Sequence, residues 1–141
     1  MSQLIIRKNP KLKDVQMITS FSGWMNGGEV STGTVDYIKN KLKAKKFAEI
    51  APDPFYIFNF PGSMELVDVF RPFVKVENGI LQDFSFPKND FFFHENSNLI
   101  LFKGQEPNMH WKDYADCIFE LGKKYNLKRI YFIGSVAAAT P

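Results

Sequence analysis

Apolar and polar positions along the first third of the chain predict a strand, a helix and a second strand. Val15 to Phe21 is mostly apolar and predicts a buried strand. Gly27 to Leu42 predicts an amphipathic helix, with Gly33 allowing close approach to a sheet. Its expected buried stripe is Val30, Thr34, Tyr37, Ile38 and Leu42. Lys46 to Ala51 predicts the next strand, which gives a parallel, right-handed strand–helix–strand unit.

The middle of the chain predicts β-structure. Phe73 to Glu77 and Ile80 to Phe86 alternate apolar and polar residues around Asn78-Gly79, a favoured two-residue turn, and so predict a hairpin. Shorter apolar runs predict four further elements: an edge strand within residues 1–14, a short helix at Met64 to Phe70, and strands at Asp90 to His94 and Leu99 to Lys103.

A second helix is predicted to begin at Asn108, a plausible N-cap, and to end before Asn126. Asn126 is expected in a left-handed C′ conformation, with Leu127 as its apolar contact. The expected buried face of this helix is Trp111, Tyr114, Ala115, Ile118 and Tyr125. Lys128 to Ile133 predicts the last strand.

The glycine-rich corner between the first strand and the first helix is the most distinctive local pattern. Asn26 and Glu29 have capping-box spacing, which places a helix N-terminus at the carboxyl edge of the sheet. If the main strands are parallel, three loops converge there: Ser22 to Gly28, Gly104 to Asn108, and Gly134 onward. The candidate pocket is formed by Gly23, Trp24, Asn26, Gly27, Gly28, Glu29, Glu106, Gly134 and Ser135.

Composition narrows the function classes. A chain of 141 residues is expected to form one domain, and its 15 phenylalanines exceed what a small core needs. We therefore expect a subunit interface, with Trp24, Met25, Phe91 and Phe93 as candidate contacts, although each of them could equally be a core residue. A net charge of +3 does not indicate a nucleic-acid partner, and no apolar run reaches membrane length. The single cysteine, Cys117, is expected to be a buried thiol in a cytoplasmic protein.

No known catalytic or metal-binding motif is evident. The corner lacks the lysine of a phosphate loop, and one cysteine with His94 and His110 does not indicate zinc. Glu29 and Glu106 are the acids best placed to share a pocket, where paired carboxylates could perform acid–base chemistry. We predict no catalytic residue, metal or cofactor, and leave this pair as the basis of an alternative.

A set of motifs in order resembles one known family. The motifs are Gly23-Trp24 with Gly27-Gly28-Glu29 before a long helix, Arg71-Pro72-Phe73-Val74, Phe86-Pro87, Gly104-Gln105-Glu106-Pro107, Trp111, and a final strand into Gly134. They resemble the proteasome assembly chaperone family, second-subunit type, whose prokaryotic members are also catalogued as an ATP-grasp-like superfamily. The resemblance implies a three-layer α/β/α sandwich of the phosphorylase/hydrolase-like type, with a mixed, mainly parallel sheet. It also implies homo-oligomers, or a proteasome-subunit partner.

The resemblance also shapes the functional expectation. Family members continue beyond the last glycine strand with a Pro-His-Thr-Arg-like segment and more helices, so we expect a single α/β domain over residues 1–141 that lacks this continuation. The leading interpretation is a non-enzymatic chaperone or scaffold that acts through protein–protein contacts. One alternative is a small-molecule or nucleotide-binding enzyme that uses Asn26, Glu29, Glu106 and Ser135. Another is a domain with no separate activity of its own.

Overall fold

The computed structural model describes residues 3–59, 61–68 and 71–138. Eight strands lie at Leu4–Ile6 (β1), Gln16–Ser22 (β2), Lys45–Ile50 (β3), Phe73–Glu77 (β4), Ile80–Ser85 (β5), Asp90–His94 (β6), Leu99–Gln105 (β7) and Arg129–Ile133 (β8). Three α-helices lie at Val30–Leu42 (α1), Met64–Asp68 (α2) and Trp111–Lys124 (α3). Short 3₁₀ turns occupy Gly27–Glu29 and Glu95–Ser97. Val69 and Phe70, which end the predicted short helix, lie outside the described residues.

Six of the strands form one mixed sheet in the order β1-β3-β6-β7-β2-β8. β2 pairs in parallel with β7 and with β8, whereas the pairs β6–β7, β3–β6 and β1–β3 are antiparallel. Following these pairings, β2, β3, β7 and β8 run in one direction, and β1 and β6 run in the other. The two strands of the predicted strand–helix–strand unit are therefore codirectional, but β6 and β7 lie between them.

The two long helices cover opposite faces of this sheet. Along β7, Phe102 faces α3, where its ring lies 6.4 Å from that of Tyr114. The next residue, Lys103, faces the other way and forms an ion pair with Asp36 of α1. Since successive residues of a strand point to opposite faces, the two helices must flank the sheet. The expected α/β fold with a mixed sheet is confirmed.

The main hydrophobic core lies between the sheet and α3. Aromatic rings from neighbouring strands pack against one another there: the ring of Phe91 lies 4.4 Å from that of Phe102 in a tilted arrangement and 6.4 Å, edge-on, from that of Phe47. Cys117 is buried in this core, as expected for a structural thiol, and burial raises its pKa. Within the described part of the chain, no helix is long and apolar enough to cross a membrane.

The face that α1 buries differs from the predicted stripe. Val30 and Tyr37 are exposed, and the buried residues are instead Ser31, Thr32 and Val35. Hydrogen bonds select this face, because the hydroxyl of Ser31 donates to the carbonyl of Ile133 in β8. Gly33 does not approach the sheet: a Cβ at this position would meet nothing within 4 Å.

α3 begins three residues later than predicted. The side-chain oxygen of Asn108 accepts from the backbone N–H of Ile57 at 3.1 Å, so it serves a loop and not the helix. His110 has a left-handed conformation, and the helix begins at Trp111, which is exposed. The predicted helix end is correct, since Asn126 has a φ of 50° and Leu127 N–H donates to the carbonyl of Gly122 at 2.9 Å.

A buried side-chain amide joins four segments of the fold. The Oδ1 atom of Asn89 lies 2.8 Å from the hydroxyl of Tyr56, 2.9 Å from that of Tyr114 and 3.0 Å from the backbone N–H of Gln105. Both hydroxyls also lie within hydrogen-bond distance of the carbonyl of Gln105, so each proton has two possible acceptors. These bonds hold four segments together: the loop before β6, the loop at Tyr56, α3 and the end of β7.

We expect Asn89→Ala to destabilise the fold strongly. The substitution removes an acceptor shared by two buried hydroxyls and one part-buried backbone N–H, and the expected loss is about 2–4 kcal/mol of unfolding free energy. Urea unfolding followed by circular dichroism measures it, with the exposed Asn40→Ala as control. Equal unfolding free energies of the two variants would show that the Asn89 amide does not stabilise the fold.

The same cluster predicts a loss of stability at alkaline pH. Burial raises the pKa of Tyr56 to about 12 and also raises the pKa of Tyr114. Below about pH 10 each tyrosine is neutral in both states, but above it only the unfolded chain releases the protons, so stability falls as pH rises from about 10 towards 12. Tyr56→Phe should flatten this slope in urea unfolding series, whereas Tyr37→Phe should not. An unchanged slope in Tyr56→Phe would contradict the assignment.

Candidate functional site

The glycine corner closes onto the segment that follows β8. The N–H of Gly27 donates to the carbonyl of Ser135 at 3.0 Å, and the N–H of Ser135 donates to the carbonyl of Met25 at 2.9 Å. The Ser135 hydroxyl adds a bond of 2.8 Å to the carbonyl of Gly27. Asn26 and Ser135 thus form a short parallel bridge, which ties the loop after β2 to the chain beyond Gly134.

The predicted capping box is wrong in its details. The Oδ1 atom of Asn26 accepts from the N–H of Thr32 at 3.0 Å, so this side chain does cap α1. However, the 3₁₀ turn separates it from the helix, and Glu29 occupies the N-cap position in a left-handed conformation with a φ of 58°. Glu29 is exposed there. Gly28 also has a positive φ, of 59°, which lets the turn form.

Glu106 is engaged by the backbone of the same corner. Its Oε2 atom accepts from the N–H of Trp24 at 3.0 Å. A Cβ at Gly23 would lie only 2.6 Å from this oxygen, so glycine permits the contact. Across the described residues, no cluster of three or more histidine, cysteine or acidic side chains could hold a metal. The polar groups of the corner therefore form internal hydrogen bonds that hold three loops together.

An apolar surface lies beside this corner. Trp24 is 84% exposed and Met25 is 53% exposed. On the neighbouring edge strand, Phe132 is 66% exposed and stacks on Phe21 at 6.5 Å. The methyl of Met25 packs over Gly134, since a Cβ at Gly134 would lie 2.7 Å from it. Of the four candidate interface residues, Trp24 and Met25 are thus accessible.

The other two candidate interface residues are core residues. Phe91 is completely buried in β6, which favours the core alternative for this residue. Phe93 is half-buried and packs edge-on against Phe47 at 5.5 Å. Both residues face α3 because they alternate with Phe92, which packs on the α1 side under Lys39.

The hairpin was predicted from the sequence, but its separation from the main sheet was not. β4 and β5 form a separate two-stranded sheet, and their predicted turn is confirmed by positive φ angles at Asn78 and Gly79. In the observed register Val74 lies opposite Phe84 and Val76 lies opposite Leu81, on one face. The opposite face is mixed: it carries the charged residues Lys75, Glu77 and Asp83 together with Ser85 and the exposed apolar residues Phe73 and Ile80.

We call Val74, Val76, Leu81 and Phe84 the apolar hairpin face. These four side chains are 49–59% exposed. The alternation of apolar and polar residues predicted both strands. It could not predict that this face would remain uncovered by any other sheet or helix of the described residues. Soluble proteins seldom leave a continuous apolar face of this kind in water, so it is a candidate contact surface.

Comparison with known families identifies the chain's relatives. A sequence model of the PAC2 family matches residues 20–141. The chain belongs to the PAC2 family. The matched region contains the glycine corner, the hairpin and α3, and no curated protein matches the chain.

Solved structures of PAC2-like proteins share the fold. A proteasome-assembly chaperone homologue of Mycobacterium tuberculosis is 21% identical with a TM-score of 0.76, and a PAC2 family protein of Streptomyces avermitilis is 21% identical with a TM-score of 0.72. The first match covers 90% of this chain and the second covers 91%, and each covers 52% of the relative. PbaB, an archaeal proteasome activator of Pyrococcus furiosus, is 19% identical with a TM-score of 0.59, over 94% of this chain and 51% of PbaB. The chain spans about half the length of these relatives.

The glycine corner generates a prediction for the PAC2 chain. In Gly27→Ala the new Cβ would lie 2.7 Å from the backbone nitrogen of Ala137, so the bridge must shift, and we expect a loss of about 1–3 kcal/mol. Gly33→Ala, which meets no neighbour, should stabilise α1 by about 0.5–1 kcal/mol. Thermal unfolding of both variants measures the difference. A stable Gly27→Ala would contradict the packing described for the corner.

Proposed function

We propose that this PAC2 chain acts as a protein-assembly chaperone or scaffold that binds other protein subunits. The apolar hairpin face is the observation that carries the proposal. A two-stranded hairpin is at best marginally stable alone in water, so a partner that covers this face would stabilise the hairpin as well as the complex. Family membership supports the same role.

The energetics of covering the hairpin favour a protein partner. Fully burying one large aliphatic or aromatic side chain contributes about 1.5–3 kcal/mol, so completing the burial of a half-exposed one contributes roughly 1 kcal/mol. Four such side chains side by side on one face resemble the apolar centre of a protein interface. Both outer edges of the hairpin also present backbone groups that can pair with a partner strand.

The first proposed partner is a second copy of this chain. On the opposite face of the hairpin, Lys75 and Glu77 form an ion pair at 2.8 Å, and none of the four residues of the apolar hairpin face is charged. Two apolar hairpin faces would be complementary to each other in a symmetric, isologous contact. Trp24 and Met25 form a second proposed contact. Because two neighbours are a proteasome-assembly chaperone homologue and a proteasome activator, we propose proteasome subunits as the further partner.

The proposal does not include catalysis at the corner. Asn26, Glu106 and Ser135, which the enzymatic alternative requires, are hydrogen-bonded within the fold. Because these polar groups already bond within the fold, we also do not propose the nucleotide chemistry that an ATP-grasp-like grouping would imply. A single free cysteine is compatible with work in the reducing cytoplasm.

Charge substitutions on the hairpin test this function. We expect the double variant Val76→Lys, Leu81→Lys to lower the oligomer mass measured by sedimentation equilibrium, because two charges would be buried unpaired in the contact. Ile80→Lys, on the opposite face of the same hairpin and 63% exposed, is the matched control and should leave the mass unchanged. Circular dichroism should show folded protein in every case.

Two results would overturn the proposal. One is a wild-type chain that stays monomeric at high concentration and does not bind isolated proteasome subunits in pull-down. The other is a double variant that associates as tightly as the Ile80→Lys control.

A further inference from the structure

A cleft of about 870 Å³ lies at the base of the hairpin and shares only Val74 with the apolar hairpin face. One wall comes from the roots of the hairpin strands and the segments beside them, including Arg71 and Lys88. The other wall comes from the carboxyl ends of two sheet strands, Ser22 of β2 and Gln105 of β7. This volume lies in the range of pockets that hold small organic molecules.

The topology places this cleft where α/β sheets bind ligands. The chain leaves the carboxyl end of β2 through α1 and reaches β3 on one side of the sheet. It leaves the carboxyl end of β7 through α3 and reaches β8 on the other side. Because α1 and α3 lie on opposite faces of the sheet, the chain leaves these two adjacent parallel strands towards opposite faces, as at a topological switch point. The crevice beyond the carboxyl ends of such strands is the usual ligand position.

The charged residues that line the cleft are all basic. Three of its lining residues are basic, Arg71, Lys88 and Lys103, and none of the described lining residues is acidic. Lys103 is already paired with Asp36 of α1. Among the side chains that the structure describes, no carboxylate lies within ion-pair distance of Arg71 or Lys88. A guanidinium and an ammonium facing one cleft without a counter-charge favour an anion, and the guanidinium fork suits phosphate or carboxylate.

Neutral donors and rings complete the lining. The Oδ1 atom of Asn108 accepts from Ile57 N–H, so the NH₂ end of this amide is the one left to donate into the cleft. The rings of Phe58 and Phe86 contact each other edge-on at 5.0 Å, and the ring of Tyr56 lies 6.3 Å from that of Phe58. Beside the basic groups there is therefore an aromatic wall, fixed from below by the Asn89 hydrogen bonds.

We propose that this cleft binds a small organic anion in which a phosphate or carboxylate group is attached to a flat apolar part. The anionic group contacts Arg71 and Lys88, and the flat part lies against Phe58 and Phe86. This inference does not depend on the proposed assembly role, because it concerns the base of the hairpin and needs no partner protein.

Calorimetric titration with four probes tests the site. Phenyl phosphate and benzoate carry both features, inorganic phosphate lacks the ring, and benzyl alcohol lacks the charge. We expect phenyl phosphate or benzoate to bind the wild-type chain, and their relative affinities to distinguish a phosphate ligand from a carboxylate ligand. Inorganic phosphate and benzyl alcohol should each bind at least tenfold more weakly.

Matched variants identify the residues responsible. The double variant Arg71→Gln, Lys88→Gln should weaken binding of the preferred probe by at least tenfold, with unfolding unchanged because both side chains are exposed. Arg129→Gln on β8, away from the cleft, should bind as the wild type does. The proposal is overturned if no anionic probe binds, if the double variant retains full affinity, or if benzyl alcohol binds as well as phenyl phosphate.

Discussion

The parallel pairing of β2 with β7 is the constraint on which the other features depend. It runs without interruption from Gln16 opposite Leu99 to Ser22 opposite Gln105, so both strands end at the same edge of the sheet. Glu106, one residue further, then reaches the N–H of Trp24, and the N–H of Glu106 donates to the carbonyl of Ser22 at 3.0 Å. A shift of this register by one residue would invert the faces of β7 and separate the corner from its partners.

The main sheet with its two long helices and the separate hairpin have different structural roles. The sheet, α1 and α3 bury their own apolar residues, and the Asn89 amide fixes the loops beneath the cleft. The hairpin stands outside this sheet and keeps its apolar face in water. The stability of the fold therefore does not depend on that face, which leaves it available for a partner. The cleft lies at the root of the hairpin, between its strands and the sheet edge.

Local patterns predicted most elements but not their arrangement. β6 and the turn at Asn78 follow from short-range alternation and turn chemistry, and both are where the sequence indicated. The order of the strands depends on contacts between distant segments, which one sequence does not reveal. The burial of Phe91 was left open, and the polar buried face of α1 and the shared acceptor at Asn89 were missed, for this reason: each is decided by what a neighbouring strand or helix contributes. The candidate corner residues do meet, but their polar groups bind one another.

Hydrogen–deuterium exchange of the backbone amides tests the central claim most directly. In dilute protein, amides of β4 and β5 should exchange rapidly and those of β2 and β7 slowly, because the hairpin is a two-stranded sheet and the others are central strands. On assembly, at high concentration or with an added partner, the hairpin amides should become protected while β2 and β7 remain as they were. Hairpin amides that are as protected as β7 in the monomer, or that stay unprotected in the assembled state, would contradict the account.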